Sequence, residues 1–141
     1  MSWKYLVVLA ALAAQAQSAH HAPKPPKSLR LYIFDCGVLK SADAKSFGFD
    51  HVAELKMSVP CFLVAHPKGT MMWDVGVVPD TDFKPDGSPV NQGMISVTRP
   101  LKPQLEAIGY EPEDIKYIAF SHYHIDHTAN AKLKKSPAYY E

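Results

Sequence analysis

A mixed α/β layer structure is what this sequence predicts, and three observations carry the prediction. Short runs of β-favouring residues recur at 29–34, 59–65 and 70–75, and Pro67-Lys68-Gly69 joins the last two as a hairpin. Leu101, Leu105 and Ile108 then recur at helical spacing, ahead of a fourth apolar run at 115–120. The composition is that of a folded domain: 47% of the 141 residues are hydrophobic and 21% charged, which excludes a wholly disordered chain.

The elements can be justified in chain order. Residues 1–19 have the three parts of a secretory signal: Lys4 as the positive start, an apolar run over 5–14, and Ala14-Gln15-Ala16 as an A-x-A cleavage site. Cleavage after Ser18 or Ala19 fits as well, because small residues crowd the region. Gln15 and Gln17 interrupt the run before the ~20 apolar residues that a bilayer span requires. The expectation is an exported protein, periplasmic or secreted, with no stable membrane insertion after cleavage. In the linker over 20–28, Pro23, Pro25 and Pro26 remove donors and hold the backbone extended, so a stiff, solvated segment is expected. The domain proper is expected over 29–141, enough for one domain and too little for two.

Leu29-Arg30-Leu31-Tyr32-Ile33-Phe34 alternates only in part, but its residue types favour a first strand. Residues 40–51 are polar and read as a loop. Pro60 puts the start of the second strand near an edge or a bulge, since proline cannot donate to a ladder. Asp74-Val75-Gly76 closes the third strand. Residues 79–94 are rich in Pro, Asp, Gly and Asn, and a connection of that length is a candidate substrate wall. Gly109 stands where a glycine ends a helix, and Pro112-Glu113-Asp114 suggests one further helical turn before the fourth strand. His51 and His66 read as surface or core-edge residues, and Tyr32, Trp73, Tyr110 and Tyr117 as core and edge aromatics.

Charge narrows the function classes. Fifteen Lys+Arg against 14 Asp+Glu give a net charge of +1, so there is no electrostatic case for nucleic acid or an anionic membrane. Two cysteines, Cys36 and Cys61, allow one bridge at most. They fall on adjacent expected strands and can pair in an oxidising compartment. Cross-strand geometry is demanding, however, and two free thiols packed as small hydrophobes are expected.

The chemistry is concentrated in Ser121-His122-Tyr123-His124-Ile125-Asp126-His127. His122, His124, Asp126 and His127 form an H-x-H-x-D-H run. In an extended segment, residues two apart point the same way, so His122 and His124 can converge on one cation. Asp126 and His127 fall where the chain turns and can face a second. Imidazole and carboxylate ligands suit Zn²⁺, with Fe²⁺, Mn²⁺ or Co²⁺ as substitutes. The alternative is a polar loop whose histidines cap the following helix.

This run resembles the signature of the metallo-β-lactamase superfamily. Asp74 in Trp73-Asp74-Val75-Gly76 is similar to that family's first motif, an aspartate at a strand end beside the metal loop. Leu31-Tyr32, Cys36, Val59-Pro60-Cys61-Phe62-Leu63 and the stretch 108–118 resemble its N-acyl-homoserine lactonase branch. Thr128-Ala129-Asn130-Ala131 departs from the Gly-Gly common after the motif. The resemblance implies an αββα sandwich of which this chain carries the first half, and one or two metal ions, two Zn²⁺ in a complete enzyme. It implies His122, His124, Asp126 and His127 as metal ligands, with Asp74 behind them.

It further implies a hydrolase whose small-molecule substrate is a lactone, opened by a hydroxide nucleophile that the cations generate, with Asp126 as catalytic proton carrier for the leaving group. Family members supply further histidine and aspartate ligands downstream, and 132–141 contains no His, Asp or Cys. The chain is therefore expected to be an inactive fragment of such an enzyme, with apolar residues such as Val64 and Ile118 left exposed. Two other functions stay open: a hydrolase of a β-lactam, thioester or phosphotriester on the same scaffold, and a non-catalytic exported metal-binding protein.

Overall fold

A computed structural model describes residues 22–41 and 43–133. The expected signal segment 1–19, the start of the linker and the last eight positions lie outside the described residues. Six strands form one sheet: β1 (Arg30–Ser41), β2 (Leu55–His66), β3 (Gly69–Trp73), β4 (Val90–Gln92), β5 (Ile95–Val97) and β6 (Tyr117–Ala119). Their order is β4-β5-β1-β2-β3-β6, with every pairing antiparallel except β3 with β6. Among the described residues two short α-helices, α1 (Leu101–Ala107) and α2 (Ile125–Thr128), accompany it. Among the described residues no helix is long and apolar enough to cross a membrane.

The period of two along β2 divides the sheet into faces. Val59, Cys61, Leu63 and Ala65 are buried on one side, together with Phe34 and Cys36 of β1 and Met72 of β3. Leu101 and Leu105 of α1, one helical turn apart, pack onto this side, with Val75, Val77, Tyr110 and Ile115 filling around them. On the other side the register lines up two rows across four strands, Leu31–Val64–Met71–Tyr117 and Ile33–Phe62–Trp73–Ala119. Leu31, Ile33, Trp73 and Tyr117 are 41–67% exposed there. Apolar side chains thus line this face. Val64 lies on it, half-buried. Ile118 does not: it pairs with Met72 and packs against the core, so the expectation that it would be exposed is corrected.

Several boundaries differ from the sequence reading. β1 runs on to Ser41 because a bulge after Asp35 lets the polar stretch keep pairing with the start of β2. Gly37, at φ 125°, takes the backbone form the bulge needs, and a Cβ there would sit 2.8 Å from Val97 Cγ2. Pro60 lies opposite Asp35 at the edge of this bulge, where its missing N–H costs no ladder bond. The supposed loop over 79–94 holds a 3₁₀ turn at Asp80–Asp82 and the strand β4, which pairs with β5. Strands of three residues are too short to show a period, although Val90 and Val97 are core residues. In the linker, Pro23 and Pro26 are half-buried and run beside Ile108 and Tyr110, so this part is docked rather than wholly solvated.

The cysteines also need correction. Cys36 and Cys61 form a disulfide and are not free thiols. In an undisturbed ladder Cys61 faces Phe34, and Cys36 would be its diagonal neighbour, roughly 7–8 Å away. The bulge draws the two Cα atoms to 5.9 Å, inside the range that a bridge spans.

Candidate metal centre

The site is built where two parallel strands end. β3 stops at Trp73, and Asp74 follows with φ 57°, in the left-handed region that costs most side chains about 1 kcal/mol and that Asp tolerates comparatively well. Its backbone N–H donates to the Ala119 carbonyl at 2.9 Å, extending the β3–β6 ladder by one bond. That turn aims the Asp74 side chain, only 4% exposed, at the segment leaving β6.

Three donors meet the Asp74 carboxylate. The Ser121 backbone N–H reaches Oδ1 at 2.8 Å, the Ser121 hydroxyl reaches Oδ2 at 2.9 Å, and His127 Nδ1 lies 2.8 Å from Oδ2. Burial pushes the Asp74 pKa upward, but the hydrogen bonds from Ser121 and His127 outweigh it and hold the group below the usual carboxylate value. An ionised Asp74 only accepts, which places the His127 proton on Nδ1 and leaves a lone pair on Nε2, the ring atom beside Asp126.

The H-x-H-x-D-H residues gather above this base. His122 Nε2 is 3.0 Å from His124 Nδ1, close to the ~3.3 Å between two ligand atoms on one tetrahedral cation. The His122 and His127 rings are 4.0 Å apart, and His127 Nε2 is 3.1 Å from Asp126 Oδ2. His122, Asp126 and His127 each offer a ligand atom within 4.8 Å of the others. The sequence pattern suggested separate pairs, 122 with 124 and 126 with 127; the fold brings His122 to Asp126 and His127, with His124 joined through His122. His124 is the residue before α2, and Asp126 and His127 lie in its first turn, so the change from extended chain to helix swings them to the same side. A neutral imidazole and carboxylate donor set fits a divalent cation of the Zn²⁺ type. Tyr123 and Ile125, 86% and 66% exposed, point away from the core beside it.

His51 is exposed, and His66 accepts the Lys68 backbone N–H at 3.1 Å in the β2–β3 turn, so neither belongs to the site. A cleft of about 590 Å³ between β1 and α1, lined by Phe34, Asp35, Arg99 and Gln104 among others, contains none of the cluster. Sequence reasoning missed Ser121, Asp80 and Asn130. Ser121 stood next to the motif and could have been suspected. Asp80 and Asn130 carried no signal, because their partners lie 21 and 50 or more residues away.

Comparison with known proteins agrees with this geometry. The sequence profile of the Metallo-beta-lactamase superfamily matches residues 56–135. The chain is 32% identical over 108 residues to N-acyl homoserine lactonase AttM of Azorhizobium caulinodans, and 30% identical over 106 residues to that of Agrobacterium fabrum. Each alignment covers 71% of this chain and 40% of the relative, so the chain spans about two fifths of the length of these curated proteins.

Among solved structures, a quorum-quenching N-acyl homoserine lactone lactonase superposes with a TM-score of 0.58 at 26% identity, over 75% of this chain and 42% of that one. An N-acyl homoserine lactone hydrolase, holding N-hexanoyl-L-homoserine at its catalytic metal centre, gives 0.55 at 25% identity, over 75% and 46%. The profile match takes in more than half of the chain and includes β2, β3, β6 and the whole His/Asp cluster; the chain belongs to the metallo-beta-lactamase superfamily.

Proposed function

We propose that the protein is a metal-dependent hydrolase that opens lactone rings, with N-acyl-homoserine lactones as its substrate class. The observation that carries this reading is the convergence of His122, Asp126 and His127 over a buried, hydrogen-bonded Asp74. The similarity to named lactonases supports the choice of substrate. Two Zn²⁺ ions are the proposed complement, with Fe, Mn or Co as substitutes.

When bound, such cations supply Lewis acidity toward a carbonyl oxygen and toward water. The chain's own residues divide the remaining work. His122 and His124 offer neighbouring imidazole nitrogens. Asp74 orients His127 and fixes its tautomer through Nδ1. Asp126, half-buried in the cluster, would hold metal, take a proton from the attacking water and deliver it to the alkoxide that ring opening frees.

Four side chains shared between two cations leave at least one cation with fewer than the three protein ligands usual at catalytic zinc. The 141 residues alone are accordingly proposed to bind metal weakly and to be catalytically silent. Calorimetric zinc titration tests the first claim; tight binding of two ions by this chain would overturn it. Ring opening of N-hexanoyl-homoserine lactone by the complete, zinc-loaded gene product tests the activity, in parallel with a β-lactam, a thioester and a phosphotriester. Cleavage of one of those three without the lactone would assign a different hydrolase.

Export through residues 1–19 belongs to the same proposal. The buried Cys36–Cys61 bond supports it, because disulfides persist in oxidising compartments. N-terminal sequencing of the mature protein is the test, and recovery of an intact Met1 from the cytoplasm alone would refute it.

A further inference from the structure

Asn130 and Asp74 are the two buried polar or charged side chains among the described residues. Asp74 serves the cluster directly. Asn130 is 7% exposed, its carboxamide bonds to Val75, Val78 and Asp80 rather than to the cluster, and every polar group of that carboxamide is in use. Its Nδ2 donates to the carbonyls of Val75 and Val78, both at 3.0 Å, and its Oδ1 accepts the Asp80 backbone N–H at 2.8 Å. All three partners belong to the segment that leaves β3 immediately after Asp74.

That segment has no ladder of its own between Asp74 and the turn at Asp80. What holds it is the end of α2 and the residues that follow it. Val75 N–H donates to the His127 carbonyl at 2.8 Å, Ala129 N–H to the Gly76 carbonyl at 3.0 Å, and Asn130 N–H to the Val75 carbonyl at 3.2 Å. α2 has four residues, too few to be rigid alone, so the tie stiffens both partners. The chain of contacts continues outward: the Asp80 carboxylate accepts the Leu101 and Lys102 N–H groups at 2.8 and 2.6 Å, capping α1. One side chain thus links the metal-bearing turn, the start of the 79–94 segment and α1.

We infer that Asn130 is a positioning residue for the metal centre: its carboxamide locks the 75–80 segment onto α2, and this lock sets the reach between the Asp74 carboxylate and the His127 imidazole. The inference rests on the reading above in which His127 holds metal. Its chemistry is selective. Alanine strands the Val78 carbonyl and the Asp80 N–H without partners in a buried place. Aspartate keeps the shape and the acceptor for Asp80, but loses both donors and sets a negative oxygen against two carbonyls.

The test compares Asn130→Asp and Asn130→Ala with the unmodified 141-residue chain, first without metal. Amide hydrogen exchange at Val75, Asp80 and Ala129 should accelerate more than about tenfold in both variants, while the β2–β3 hairpin exchanges as before. The nitrogen shifts of the His127 imidazole should also move away from the Nδ1–H tautomer. In zinc titration, both variants should bind about tenfold more weakly or worse, the loss typical when a ligand's supporting partner is removed.

Uniform acceleration across the sheet would make Asn130 a folding residue and overturn the positioning role. Unchanged His127 shifts, or zinc affinity equal to that of the unmodified chain, would overturn it as well. Zinc that binds neither the variants nor the unmodified chain removes the metal reading of the proposed function. The exchange and imidazole data then decide the role of Asn130 on their own.

Discussion

His127 Nδ1 sits 2.8 Å from Asp74 Oδ2, across 53 residues of sequence, and this contact joins the end of β3 to the first turn of α2. Asp74 is buried and held ionised by its three donors, so it acts as a fixed acceptor that orients the imidazole. The orientation of the His127 ring therefore depends on a residue that is not itself in the cluster.

Asp74→Asn tests that dependence. One face of the new amide presents N–H groups to donors it cannot satisfy. Zinc affinity should fall about 10- to 100-fold, and stability by about 1–3 kcal/mol. Calorimetry and urea unfolding check the two effects separately, and an unchanged zinc affinity would contradict the role given to Asp74.

His122→Ala and His124→Ala should each reduce the zinc held per chain in the complete gene product. Asp126→Asn should damage turnover more than folding, because it removes a ligand charge and a proton carrier from a half-buried, solvent-facing position. Elemental analysis reads the first effect, and lactone kinetics beside thermal unfolding read the second. A His122→Ala protein that keeps two metals would count against the first.

Labelling the unfolded, unreduced protein with a thiol reagent should count no free cysteines. The bridge closes a separation of 25 residues, for which chain-entropy arguments give about 3.5 kcal/mol. A Cys36→Ala, Cys61→Ala variant should lose stability of that order in urea unfolding. A count of two thiols in the unmodified protein would return Cys36 and Cys61 to the packed-thiol arrangement.

The outer rows of the sheet give a solubility prediction. Ile33 and Trp73 are neighbours of Phe62 in one apolar row and are 67% and 41% exposed. Ile33→Lys with Trp73→Lys should reduce self-association of the 141-residue chain and its binding of a hydrophobic dye, and leave unfolding cooperative. Light scattering and dye fluorescence decide it; unaltered association would place the sticky surface elsewhere.

The sequence by itself determined the presence of β1, β2, β3, β6 and α1 and the chemistry of the cluster, because each rests on information held within a few residues. The run of β-favouring residues over 59–65, the spacing of Leu101, Leu105 and Ile108, and the H-x-H-x-D-H run are all local patterns. Tertiary structure decided what depends on distant partners. The bulge at Gly37 turned two cysteines expected to stay apart into a bridge, and it did so by shifting register, which no single strand encodes. The hairpin of β4 and β5 escaped notice because three residues cannot display a period. The grouping of His122 with Asp126 and His127, their seat on Asp74, and the tie through Asn130 arise only when the ends of β3 and β6 are brought side by side. A hydrogen bond is fixed by position in space, and here its two ends lie about fifty residues apart in the chain.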